Sequence, residues 1–278
     1  MTDRFVILAW HSIHVLDNTI AGNDLIAFSQ ALDTLDRTGW TILPLGEALA
    51  RLEGGGLPER TAVLTADDGS VMDFEAFDHP TCGRQRSLYH RLQAFAATLP
   101  ADTRHVPHLS SFVIASPEAR AELDRADYMS LGVWRDDWWR AANDSGLISI
   151  ESHSWDHNHA SLETTAQRDN RRGDFTFIDT EAECRIEVDR ASDFIERHAG
   201  RRPQYFAFPY GQASEYLRCE YLPRRGRDLG LRAALGCDPE PVMKTGDRWF
   251  LPRYMCGRDW RTGDELTSLL GSLDGASA

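Results

Sequence analysis

Hydrophobic positions in this chain fall in short solid runs separated by longer amphipathic stretches, and the alternation predicts its elements. "FVILAW" (5–10) reads as a buried strand, and "DLIAFSQALDTLDRTG" (24–39) as an amphipathic helix with Asn23 or Asp24 near its cap and Gly39 near its end. "TILPL" then reads as a short strand, "GEALARLEGGG" as a helix ended by glycines, and "TAVLTA" (61–66) as a strand. Further strand candidates are "HLSSFVIA" (108–115), "LISIES" (147–152), "YFAFPY" (205–210) and "LRAALGC" (231–237), with helical patterns around 83–99, 134–144 and 180–199. Strands alternating with helices imply a mostly parallel α/β sheet, open or closed into a barrel. No internal repeat breaks the pattern, and the closing "GSLDGASA" reads as a frayed tail.

Composition narrows the classes. At 278 residues, 42% hydrophobic and 26% charged, the chain reads as a soluble globular protein with a substantial core, and as one domain over 1–278 with an insertion around 71–107. A formal net charge of −13 argues against nucleic-acid binding and against adhesion to an anionic membrane, both of which need clustered Lys and Arg. The opening "MTDRFVILAWHSIH" lacks the basic region, longer apolar core and cleavage site of a signal peptide, and no run approaches the ~18–20 apolar residues of a membrane span. The expectation is a cytoplasmic protein. Five cysteines with no close pair read as reduced structural thiols.

Parallel α/β folds gather functional groups at the carboxyl ends of their strands. "TADDGS" (65–70) sits at one such end, where a pair of acids before glycine reads either as a solvated turn or as a site. A second is "ESHSWDHNHAS" (151–161), with His153, His157 and His159 within seven residues. The i and i+4 spacing of His153 and His157 would put both on one face of a helical turn, aimed at one ion. Alternatively, each imidazole caps a backbone group of a polar loop. "FAFPYG" (206–211) forms a third strand end, and His11 follows directly on the first strand.

Together these stretches resemble the polysaccharide deacetylase family, the NodB-like carbohydrate esterase family 4. Its T-F-D-D-G motif is matched by "TADDG" with Ala66 for Phe, and its H-(S/T)-x-x-H motif by "HSWDH" in full. Its R-x-P-Y-G motif is matched by "AFPYG", with Ala207 where the arginine would stand. A late histidine motif is missing; instead "LAWHSI" resembles the L-x-Y-H-x-I opening of the circularly permuted poly-N-acetylglucosamine deacetylase branch. The resemblance implies a NodB-like distorted (β/α) barrel with a mostly parallel sheet. It implies Asp68, His153 and His157 as ligands of a divalent metal, zinc first, with cobalt, nickel or iron(II) as alternatives. It also implies Asp67 as the base, His11 as the acid and the backbone N–H of Tyr210 at the oxyanion. Arg253, in "FLPRY", is the candidate to replace the missing arginine.

The implied reaction is hydrolysis of an acyl group, acetyl above all, from nitrogen of an amino sugar or related small molecule. One acid of the pair holds the ion and the other moves the proton. His159 is open as a replacement ligand, a partner of a bound group or a solvated side chain, and Asp156 as a carboxylate orienting a histidine or a solvated loop acid. Trp134, Trp138 and Trp139 offer either core packing or a sugar-stacking face. The stretch 71–107 reads as a lid, a specificity loop or a plain insertion. Rival readings are a mononuclear iron oxygenase, an inactive carbohydrate-binding or regulatory relative, and a protein with no metal. The substrate, a carbohydrate or another small molecule, and the oligomeric state are left open.

Overall fold

Solid apolar runs demand burial on both faces, and each becomes a strand of one curled sheet. A computed structural model describes residues 3–167 and 171–274. In chain order the strands are β1 (Arg4–Trp10), β2 (Thr41–Ile42), β3 (Thr61–Ala66), β4 (Phe77–His79), β5 (Gly83–Gln85) and β6 (Leu109–Val113). They continue with β7 (Ile148–Ser152), β8 (Tyr205–Ala207), β9 (Ala233–Leu235), β10 (Val242–Met243) and β11 (Tyr254–Met255). The helices are α1 (Asp24–Arg37), α2 (Leu45–Gly54), α3 (Leu88–Thr98), α4 (Pro117–Asp127), α5 (Trp139–Asp144), α6 (Glu181–Cys184), α7 (Ala191–Ala199) and α8 (Gly263–Asp274).

The main sheet runs β10-β1-β3-β6-β7-β8-β9, with β2 beside β3 and β11 beside β1. All its pairings are parallel except that of β10 with β1. Side-chain alternation sorts the two faces. Phe5, Ile7, Val63, Phe112, Ala207 and Leu235 fill the inside of the curl, whereas Val6, Leu8, Trp10, Ala62 and Leu64 pack outward against Leu25, Phe28 and Leu32 of α1. A parallel bridge from Leu235 to Leu251 leads from β9 toward β11, which returns to β1, so an irregular segment closes the distorted barrel.

Several elements depart from the sequence pattern. The helix expected over 134–144 is helical only at Trp139–Asp144, and Trp134, Trp138 and Trp139 are all buried in the core. Phe74 stacks on Trp138 with ring centroids 6.1 Å apart, and Arg120 lies over Trp139, so these rings are packing and not a sugar platform. Within 71–107, α3 packs on α1 as the crossover that the parallel pair β3 and β6 requires. What remains as added structure is the antiparallel β4–β5 hairpin. A π-helical turn, Arg185–Arg190, joins α6 to α7, and a longer one, Tyr216–Gly226, was not anticipated. Nor was α4, although "SPE" carries its start signal: Ser116 Oγ accepts from Ala119 N and Pro117 opens the helix. The expected frayed tail is helical through Asp274, with 275–278 outside the described residues. Among the described residues, no helix is long and apolar enough to cross a membrane. All five cysteines are free thiols.

Glu151 on β7 is a buried carboxyl that organises the next strand. Its Oε2 accepts from the backbone N–H groups of Gln204 (2.7 Å) and Tyr205 (3.0 Å), pinning the start of β8. Burial pushes its pKa up to about 7 despite those bonds. The folded state therefore keeps a proton that the unfolded chain loses near pH 4.5, and this group costs stability progressively as pH rises from there to about 7. The full cost at higher pH is about 3 kcal/mol. Replacing Glu151 with Gln should make the melting temperature of the variant gain on wild type between pH 5 and 8. A difference that does not change with pH would contradict this assignment.

Candidate active site

The carboxyl end of β3 breaks into a tight turn that separates the two acids of "TADDGS". Asp67 N–H donates to Trp10 O at 2.9 Å, which keeps Asp67 in line with the strand and buried. Asp68 takes φ 73° and Gly69 φ 72°, and the reversal brings Asp68 toward solvent, its side chain 19% exposed. A Cβ on Gly69 would lie 2.5 Å from Val113 Cγ1, so both conformation and space require glycine there. Ser70 Oγ accepts from Met72 N–H and lies 2.8 Å from Ser12 Oγ, fixing the far side of the turn.

The histidines follow β7 in a bent loop, not on a helical turn, so the expected i, i+4 helical face is corrected. Ser154 (φ 71°), His157 (φ 66°) and Asn158 (φ 45°) are left-handed, and these reversals bring the imidazoles of His153 and His157 together with ring centroids 4.8 Å apart. The loop is held from below by buried Glu187, whose Oε2 accepts from the N–H groups of Trp155 (3.0 Å) and Asp156 (3.4 Å). The Asp156 side chain is buried and meets no imidazole. Its carboxylate accepts from the backbone of Asn158 and Ala166, at 2.8 and 2.6 Å.

One acid and two imidazoles converge. His153 Nε2 lies 3.6 Å and His157 Nε2 3.7 Å from Asp68 Oδ1, and one donor atom from each of the three residues lies within 4.8 Å of the others. These separations exceed a hydrogen bond and approach the spacing of about 3.4 Å between ligands held ~2.1 Å from a tetrahedral ion. His153 Nδ1–H donates to Ala207 O (2.8 Å), which leaves the Nε2 lone pair free. His157 Nδ1 is buried with no hydrogen-bond partner. Burial lowers the pKa of both rings, and for His157 the neighbouring His153 lowers it further, so both are neutral donors at pH 7. The N2O donor set fits a divalent transition metal. His159 lies outside this group; its Nδ1 accepts from Ser161 N–H at 3.1 Å.

Asp67 faces a different partner. Arg253, fully buried, donates from Nη1 to Oδ1 (2.7 Å) and from Nη2 to Oδ2 (2.8 Å), and its Nε–H donates to Gly236 O. Burial alone would raise the Asp67 pKa, but the guanidinium, helped by His153, outweighs it and holds the carboxyl at about 2. Ala207 packs with Tyr205 and Leu235 and brings no charge, and the cation beside Asp67 comes from the C-terminal segment.

A family model described as polysaccharide deacetylase matches residues 54–232, close to two thirds of the chain and including both acids, the paired histidines and Tyr210. The chain belongs to the polysaccharide deacetylase family. IcaB from Ammonifex degensii is similar in structure at 19% identity (TM-score 0.62, covering 97% of this chain and 98% of that one). So is a de-N-acetylase from Aggregatibacter actinomycetemcomitans, at 17% identity (TM-score 0.63, 95% and 100% covered). A third is the deacetylase PplD of Streptococcus pyogenes in complex with acetate, at 15% identity (TM-score 0.62, 96% and 98% covered). These likenesses establish the NodB-like distorted barrel. No curated protein matches.

For a polysaccharide deacetylase, two features lie outside the matched segment: His11 before it and Arg253 after it. The sheet brings both to the site, because β1 pairs with β3 on one side and β11 on the other. His11 lies close enough for its charge to act on Asp67 and His157, and its backbone N–H donates to Asp24 Oδ2 at 2.9 Å. Tyr210 is left-handed (φ 57°), its ring meets His157 edge-on at 4.6 Å and its Oη accepts from Ala160 N–H. His11, Asp67, Tyr210 and the three converging donors line one cavity of about 710 Å³. Sequence reasoning missed Asp24 as more than a cap, and missed His14, whose Nδ1 lies 2.9 Å from Asp24 Oδ1. Asp73, at the start of the stretch read as an insertion, is a buried acid whose Oδ2 accepts from Ser111 Oγ and whose pKa burial raises to about 7.

Arg253→Met would leave Asp67 buried without its cation. The expected loss is about 3–5 kcal/mol in urea unfolding, part of which Asp67→Asn in the same chain should restore by removing the stranded charge. Unchanged stability in Arg253→Met would contradict the buried pair.

Proposed function

We propose that this chain is a metal-dependent hydrolase that removes an acyl group, acetyl in the first instance, from the nitrogen of an amino sugar or related small molecule. The observation that carries the reading is the convergence of Asp68, His153 and His157 beside a separately held carboxylate, Asp67, in one cavity. A divalent cation held by those three residues, zinc before cobalt, nickel or iron(II), would supply water activation and polarisation of the acyl carbonyl.

This chain's own residues do the rest. Asp67 accepts the proton of the attacking water. Arg253 keeps Asp67 ionised and its oxygens aimed, which secures orientation at the expense of basicity. The backbone N–H of Tyr210, a residue that lines the cavity, is the candidate donor to the developing oxyanion. As the C–N bond breaks, His11 delivers a proton to the departing amine. Acetate and a free amine leave. The inactive-relative reading rests on the missing arginine at Ala207, and the pairing of Arg253 with Asp67 supports the active reading over it.

Acetate release from N-acetylated sugars after metal loading tests the reading. Asp67→Asn should lose about 10²–10⁴-fold in turnover. His11→Ala should slow amide hydrolysis more than hydrolysis of an activated ester, whose leaving group needs no proton. Equal losses on both substrates would remove His11 from the acid role, and no acetate from any substrate would sink the hydrolase reading.

A further inference from the structure

The active-site cavity is open to solvent and carries two kinds of lining. Beside the acids and imidazoles stand Ile13, Val15 and Leu16, which bring hydrocarbon to its wall directly after His11. Leu16 is 72% exposed, and Met129, at 75%, follows Tyr128, another lining residue. These two are the most exposed large apolar side chains among the described residues. Single exposed apolar residues are ordinary on a protein surface, but several grouped beside a cavity mark a binding surface.

The turn that carries Leu16 is ordered, so its exposure is not that of a loose loop. Leu16 N–H donates to Gly22 O (2.7 Å), Val15 forms an antiparallel bridge with Asn23, and Asn23 Nδ2 donates to Asp17 O (3.1 Å). The backbone is thus fixed at the cavity while the leucine side chain stays in water. An apolar group of a ligand laid over it would remove that hydrocarbon from water.

Chain order decides which part of a substrate this surface meets. His11 is the residue assigned to the departing amine, and one tight turn leads from it to the apolar residues: His14 N–H donates to His11 O (2.9 Å) and Val15 N–H to Ile13 O (3.0 Å). Asp24 fastens that turn, accepting from His11 N–H and lying 2.9 Å from His14 Nδ1. Tyr210, the candidate oxyanion donor, stands on a separate turn at Pro209–Gly211. The hydrocarbon therefore belongs to the side of the leaving amine and not to the side of the acyl oxygen. A formal net charge of −13 disfavours an anionic lipid surface as its occupant, which leaves a group of the substrate itself.

We propose that the substrate is amphiphilic, an N-acyl amino sugar whose amine-bearing end carries an apolar alkyl or aryl aglycone that lies against Ile13, Val15 and Leu16; the inference rests on the deacetylase reading. On a 2-amino sugar the aglycone is attached to the carbon next to the one that bears nitrogen, so it extends from the reacting amide toward the segment that follows His11.

Acetate release from the methyl and octyl β-glycosides of N-acetylglucosamine, after metal loading and below the micelle concentration of the octyl compound, tests it. Expected is a kcat/KM about tenfold or more higher for the octyl glycoside, carried mainly by KM. Leu16→Ser, at a position too exposed to threaten folding, should cut that octyl-to-methyl ratio about threefold or more. Titrated into Asp67→Asn, the octyl glycoside should bind more tightly than the methyl one and with a more negative heat-capacity change, the mark of buried hydrocarbon. A ratio below about tenfold, or one that Leu16→Ser leaves unchanged, would overturn the proposal and leave the deacetylase reading intact. So would a gain seen only above the micelle concentration, which would assign these residues to a lipid surface, and so would cleavage of an activated acetyl ester with neither glycoside turned over. Failure on the ester as well would remove the deacetylase reading and this inference with it.

Discussion

The site depends on one buried ion pair. Arg253 and Asp67 meet through two parallel hydrogen bonds inside a closed protein, where either charge alone would be expensive. The pair joins the C-terminal segment to the end of β3, and thereby fixes which of the two adjacent acids turns inward. With Asp67 committed to the guanidinium, Asp68 is the acid that reverses through a left-handed residue and meets the histidines. The different surroundings of the two acids of "DD" thus follow from where one arginine lies.

That arginine also bears on the departure from the family pattern at Ala207. Ala207 contributes its carbonyl to His153, a contact independent of side chain, and the charge that its position lacks enters from Arg253, 186 residues from Asp67 along the chain. Two chain ends outside the family-matched segment complete the constellation because β1 lies between β3 and β11.

Much of this was legible in the sequence because it is local. Solid apolar runs mark strands buried on both faces, and "FVILAW" and "TAVLTA" become β1 and β3 within a residue. The acids, the paired histidines and Pro209–Gly211 stand at strand ends, where turn chemistry and motif spacing announce them. The illegible parts are those fixed by distant contacts. The histidine loop keeps an i, i+4 spacing yet follows no helix, because Glu187 on a π-helical turn pins its backbone. Trp138 and Trp139 look like a binding face until Phe74 and Arg120 cover them. Asp24 reads as a helix cap, and only the fold shows it holding His11 and His14.

Metal content of the purified protein by elemental mass spectrometry, compared with Asp68→Ala and Asp67→Asn, tests the central claim most directly. The account predicts about one divalent ion per chain in wild type, retained in Asp67→Asn and lost in Asp68→Ala, since of the two acids only Asp68 stands with the histidines among the converging donors. Loss of the ion in Asp67→Asn with retention in Asp68→Ala would reverse the roles of the two acids. No ion in wild type, even after reloading, would contradict the account as a whole.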